Sequence, residues 1–232
     1  MIILKNQAIT AIVKIIVAIL LGLFVLMVGA FIMSLDGLPE LIRSNHTTML
    51  FLSLLIILIL SKGRISSYGF KLTRDIRLKQ ITLWSFGIAV VGTLLQSFIP
   101  GEGLTFLEGF SFPQIVIFIW IYASICEEVL TRGLIQGYLK PLVKYGFTIF
   151  KPRISLPVLV GALFFGSMHL ALLTMGVGSF MVFTIVLLAF ILGIIAGYYR
   201  EKTGSIIPAI ITHMVFNISG TIIGFLTEPF GG

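Results

Sequence analysis

Three charged side chains, Glu127, Glu128 and Arg132, lie within SICEEVLTRG, a stretch at 124–133 set in surroundings apolar enough for a bilayer. Two further apolar stretches carry ionisable or hydrogen-bonding groups: His169 in one, His213 and Asn217 in the other. A charge at the centre of a membrane helix costs about 2.5 to 3.5 kcal/mol on insertion scales, so such groups need partners and suggest a function. On a helix, Glu128 and Arg132 share a face four residues apart and can neutralise each other. Glu127, about 100° further round, is left free. His213 and Asn217 share a face in the same way, as do Phe165 and His169. A free carboxylate and two imidazoles are the parts needed to activate a water. Each residue also has a structural use: a membrane His or Asn can simply join two helices by a hydrogen bond, and Glu128 with Arg132 can act as a brace.

Depth favours the chemical use. At about 1.5 Å per residue, Glu127 lies roughly 20 Å from the basic end at Lys140, and His169 roughly 18 Å from Pro157. His213 and Asn217 lie roughly 16 and 22 Å from Lys202 on the same rise. Three helices therefore bring these groups to one layer, where a single polar cavity could collect them.

The elements that must carry them follow from composition and punctuation. With 232 residues, 58% of them hydrophobic and 11% charged, the chain is far from the soluble average of roughly 25% charged. The length admits about seven helices of roughly 20 residues. The expected fold is all-α, a polytopic membrane protein of about seven transmembrane helices with the active site buried at mid-membrane, in a single integral domain over 1–232. Apolar runs extend from about Ala8 to Met33, Thr48 to Leu60 and 80 to 99, and then Pro113 to Leu139 and Pro157 to Met175; after a tight connection at Gly176 to Gly178 a sixth runs to about Tyr199, and a seventh from Ser205 to Leu226. The first is read as a retained helix, since little of a charged n-region and no evident small-residue cleavage site accompany it. His46 falls in a predicted loop and is assigned no role.

Charge orients the chain. The net charge of +7 could suggest nucleic acid, but Lys and Arg occupy connections between apolar runs, so no nucleic-acid partner is expected. With a cytoplasmic N terminus, the basic 62–79, 140–153 and 200–202 connections all fall inside, and the outside connections hold only Arg43. That satisfies the positive-inside rule and places the C terminus outside. Gly193 with Gly197, and Gly220 with Gly224, are expected to let helices approach closely. The lone Cys126 reads as a small core residue.

The motifs in this order, EEVLTR for EExxxR, FGSMH for FxxxH and HMVFN for HxxxN, resemble those of the CAAX protease and bacteriocin-processing (CPBP, or Abi) family of intramembrane proteases. The likeness covers roughly 113–226, the expected catalytic core. It implies an endopeptidase acting on peptides or proteins in or at the bilayer, in a bacterial cell membrane if the setting is bacterial, with roles in bacteriocin or pheromone maturation or in self-immunity. It also implies that Glu127 is the general base, that His169 orients the attacking water, that His213 and Asn217 stabilise the oxyanion, and that Glu128 with Arg132 gives structural support.

Two mechanisms remain open at this stage. Glu127, His169 and His213 form an acceptable Zn2+ ligand set, but HExxH is missing, and a carboxylate in an apolar setting can activate water without a metal; the expectation is no cofactor, with Zn2+ the alternative. Asp36 and Asp75 lie in loops and Ser167 lacks a GxSG context, which argues against aspartyl and serine intramembrane chemistry. The alternative to an enzyme is a non-catalytic immunity or scaffold protein of the same fold. A transporter is disfavoured by the lack of an internal repeat.

Overall fold

The computed structural model describes residues 2–97, 109–149 and 152–227. Its helices are α1 (Ile2–Met33), α2 (Asn45–Leu60), α3 (Leu78–Ser97), α4 (Phe112–Tyr138), α5 (Leu156–Met168), α6 (Ser179–Thr203) and α7 (Ile207–Thr227). Six spans are long and apolar enough to cross a membrane, α5 counting as one only together with the 3-10 segment that continues it to Met175. The seventh, α2, has 16 residues and a rise of about 24 Å, short of a hydrocarbon core of about 30 Å. The chain is a polytopic integral membrane protein, and six spans with one shorter apolar helix meet the expected number of about seven.

Sequence punctuation accounts for most boundaries. Gln114 accepts a hydrogen bond from the Ser111 N–H (2.8 Å), and Pro113 sits in the first turn of α4, where its missing N–H has no intrahelical partner to lose. Ser155 caps α5 by accepting from the Val158 N–H, with Pro157 just inside. Gly204, at φ 68°, closes α6 in the left-handed conformation that suits glycine.

Two departures have local causes. The fifth apolar run was expected as one helix to Met175, but its α-helical part ends at Met168 and a 3-10 segment, His169–Met175, leads to Gly176. The basic connection after α4 contains a small antiparallel hairpin, Gly146–Thr148 against Arg153–Ser155, held partly because the Arg153 guanidinium donates to the Val143 and Lys144 carbonyls. Residues 98–108, with Glu102 and Glu108, lie outside the described residues, as does Lys151 in the basic connection after α4.

α4 is the centre of the packing. α1 and α2 cover one side, and α5, α6 and α7 the other, with α3 packed on α6 and α7. Every residue from Cys126 to Gly137 is consequently buried, whereas most of α4 before Tyr122 is exposed or half-buried. α4 is also not a uniform α-helix: π-helical segments, Ile115–Ala123 and Val129–Ile135, flank the α-helical turn Ser124–Glu128. Such i→i+5 segments are rare and often accompany functional sites.

Of the two glycine pairs, one makes the expected approach. A Cβ on Gly193 would meet the Ala162 Cα at 2.9 Å and Arg132 Nη2 at 3.2 Å, while Gly220 and Gly224 face open space. Gly193 therefore sets how closely α6 lies on α5. An exposed helical Gly→Ala change normally stabilises by about 1 kcal/mol, so the expected result for Gly193→Ala is a reversal of sign, with a lower thermal midpoint in detergent. Gly220→Ala leaves the midpoint unchanged or higher.

Candidate active site

The site is assembled around the α-helical turn of α4. Glu128 and Arg132 are both fully buried, and the Arg132 Nη1 donates to Glu128 Oε1 at 2.9 Å, as the i,i+4 spacing predicts. The same Nη1 donates to Thr131 Oγ1, whose hydroxyl in turn bonds the Glu127 carbonyl at 2.6 Å. The guanidinium lies over the Phe165 ring, 4.6 Å from its centroid. Arg132 thus ties α4 to α5 as well as holding Glu128.

Glu128 does more than brace its own helix. Its Oε1 also accepts from His213 Nδ1 at 3.1 Å, a bond the sequence reading lacked. Since a carboxylate oxygen can only accept, His213 carries its proton on Nδ1, and the acceptor decides this assignment. His213 Nε2 then faces Glu127 Oε2 at 3.8 Å. Glu128, set aside by sequence as structural, orients the imidazole that addresses Glu127.

His169 is placed by its own backbone. Its Nδ1 is 2.9 Å from the Phe165 carbonyl, so Nδ1 carries the proton and Nε2 is left as the ring's acceptor. Phe165 stands edge-on to both imidazoles, with centroids 5.2 Å from His169 and 5.3 Å from His213. The shared face expected for Phe165 and His169 is present, and it works through the ring as well as the carbonyl.

Asn217 is committed elsewhere. Both hydrogens of its amide are engaged, Nδ2 donating to the Ile119 carbonyl and to Ser124 Oγ, each at 3.1 Å. With Trp120 Nε1 donating to Thr221 Oγ1 (3.1 Å), these bonds fasten α7 to α4 over the two turns before Glu127.

One residue was missed altogether. His46 lies in the first turn of α2, not in a loop, and its Nε2 is 3.1 Å from Glu127 Oε1. Glu127 is therefore not the unpaired carboxylate that helix geometry alone implies. The hydropathy pattern starts the second run at Thr48, and extending it by one turn would have brought His46 onto the helix.

The fit of a metal can be judged from the placed side chains. Among the described residues no three His, Cys, Asp or Glu groups converge as a ligand set. Glu127 Oε1 instead accepts directly from the His46 imidazole N–H, which occupies a lone-pair direction a metal would need. As placed, Glu127, His169 and His213 do not make a metal site, and no step is derived through one.

Residues 109–219, which hold these groups except His46 and Thr221, match the family model described as "Rce1-like: Type II CAAX prenyl endopeptidase Rce1-like". The CAAX-protease resemblance holds. The Rce1-like segment begins just before α4 and ends in α7, so it contains Glu127, Glu128, Arg132, His169, His213 and Asn217 and excludes α1, α2 and α3. No curated protein and no solved structure matches the chain.

Proposed function

We propose that the protein is an intramembrane endopeptidase of the CAAX type that hydrolyses peptide bonds of membrane-associated substrates with water activated by Glu127. The observation that carries this reading is the split environment of the Glu127 carboxylate. Oε1 is occupied by His46, while Oε2 is buried, accepts no hydrogen bond among the described residues and faces His213 Nε2. A separation of 3.8 Å is too long for a direct bond and short enough for one water oxygen to reach both atoms.

In the reaction, that water adds its oxygen to the peptide carbonyl carbon and Glu127 Oε2 takes the proton it releases. The tetrahedral adduct collapses by breaking the C–N bond, and the same carboxyl returns the proton to the departing amine nitrogen. His169, with Nε2 as acceptor, orients the water. His213 turns Nε2 toward the place where the oxyanion forms, and the charge of Arg132 offsets that of Glu128. Asn217 can join the oxyanion site only by exchanging a bond to Ile119 or Ser124 for the substrate, so its first contribution is to hold α7 in place.

The type II CAAX prenyl endopeptidase description of the family supports a peptide substrate at the bilayer. Maturation of a secreted peptide, or self-immunity to one, is the biological setting proposed, with the N terminus cytoplasmic. The test is purified protein in liposomes against a library of membrane-associated peptides, read by mass spectrometry. Cleavage by the wild type and a roughly 10²-fold loss of kcat in His169→Ala are expected, the order of loss when a reacting group is misplaced. Equal cleavage by both proteins removes His169 from the mechanism, and no cleavage by the wild type removes the peptidase reading.

A further inference from the structure

The structure assigns to His46, from outside the Rce1-like segment, the task of choosing which oxygen of Glu127 acts as the base. This inference rests on the peptidase reading for its consequence, although the pairing itself does not. A carboxylate offers two equivalent oxygens and can rotate between them, so a free Glu127 would divide its time between productive and unproductive orientations. His46 removes the equivalence. Its Nε2–H donates to Oε1 at 3.1 Å and leaves Oε2 as the one oxygen turned toward His213.

The first turn of α2 is held firmly enough to do this. The next residue, Thr47, places its hydroxyl 2.7 Å from the Tyr122 hydroxyl on α4, five residues before Glu127, and also bonds the Leu41 carbonyl. Arg43 reaches back to the end of α1, donating from Nε and Nη2 to the Met33 carbonyl at 3.2 and 2.9 Å. Asn45 lies against Gly29 so closely that a Cβ there would fall 1.9 Å from Asn45 Oδ1. The chain ahead of α2, the end of α1 and the exposed half of α4 thus fix His46 from three sides.

Its burial suits the role. The His46 side chain is 35% exposed and that of Glu127 is 12% exposed. The imidazole therefore stands between the buried carboxylate and the surface, its inner nitrogen occupied by Glu127. A residue that acts through Glu127 in this way is a positioning residue. It changes how often the base points correctly and leaves substrate binding alone, so its loss is expected in kcat and not in KM.

Three substitutions in the whole chain separate the hydrogen bond from the bulk. His46→Gln keeps an N–H donor within reach of Oε1 without a titrating ring. His46→Phe keeps a ring without a donor, and His46→Ala reads the same loss if the larger ring does not fit. The expected result is a drop in kcat of about 10- to 100-fold for Phe and Ala, the worth of one hydrogen bond to a charged group, with KM within about twofold and most of the loss recovered in Gln. Unchanged kcat in Phe and Ala, or a Gln variant as impaired as they are, overturns the assignment.

A second measurement needs no substrate. The infrared carboxylate band of Glu127, isolated as the difference between the wild type and Glu127→Gln, should shift in His46→Phe and stay close to its wild-type position in His46→Gln. An unmoved band in His46→Phe refutes the pairing. If the wild type cleaves no peptide but the band behaves as expected, the pairing stands and the peptidase reading is what fails.

Discussion

Glu127→Gln is expected to lower kcat by about 10²- to 10⁴-fold, the range for removing a general base, while the thermal midpoint in detergent stays level or rises. The two effects have one origin. Glutamine keeps the shape of the side chain and an amide oxygen for His46 Nε2, so the bond at Oε1 survives. At the other position an N–H₂ group replaces a buried anionic oxygen that has no hydrogen-bond partner, and it can donate toward His213 Nε2. The change takes a charge out of an apolar interior and supplies a donor where an acceptor stood alone, which favours the fold. It also removes the basic lone pair, which ends proton abstraction. Undiminished cleavage by a stable Glu127→Gln protein would remove the carboxylate from the mechanism. Full rescue of a cellular phenotype by that variant would point to the non-catalytic role.

Arg132→Leu carries the largest expected cost to stability, about 3 to 5 kcal/mol, because it strands a buried carboxylate. Arg132 is wholly buried, and Glu128 Oε1 has it and His213 as its only donors among the described hydrogen bonds. The guanidinium also packs on Phe165, so the substitution loosens the contact between α4 and α5 as well. Adding Glu128→Leu removes the stranded charge and is expected to restore most of the stability. It is not expected to restore activity, since His213 then has no acceptor for Nδ1. Unfolding in detergent micelles, followed by heat or denaturant, measures the single and double changes. A single variant as stable as the wild type contradicts the ion-pair argument, and a double variant no better than the single one contradicts the charge-stranding explanation.

How much of this site could be read in the sequence depends on how local each relation is. The Glu128 and Arg132 pair follows from i,i+4 spacing, and the α-helical turn at Glu128 followed by the π-helical segment preserves it. The approach of His213 to Glu127 followed from shared depth, a coarse argument that works because membrane helices run roughly parallel. His213 bonding to Glu128 was beyond that argument, because depth says nothing of rotation about the helix axis. Asn217 shows the same limit: it lies on the expected helix, yet its amide turns to Ile119 and Ser124. His46 is 81 residues from its partner, and its helix lies outside the Rce1-like segment. No periodicity links the two. The two glycine pairs have the same spacing, and only Gly193 and Gly197 meet a neighbouring helix, which depends on packing that spacing does not encode.

One carboxylate oxygen, Glu128 Oε1, serves both the ion pair and the His213 imidazole. That sharing shapes how such a gene can decay. A lineage that no longer needs hydrolysis can lose Glu127 or His169 with little harm to folding, whereas losing Glu128 or Arg132 breaks the protein before selection can keep it for any other use. Retired copies of this fold should therefore retain the second glutamate and the arginine of EEVLTR while the first glutamate drifts, and copies altered at all three should be rare.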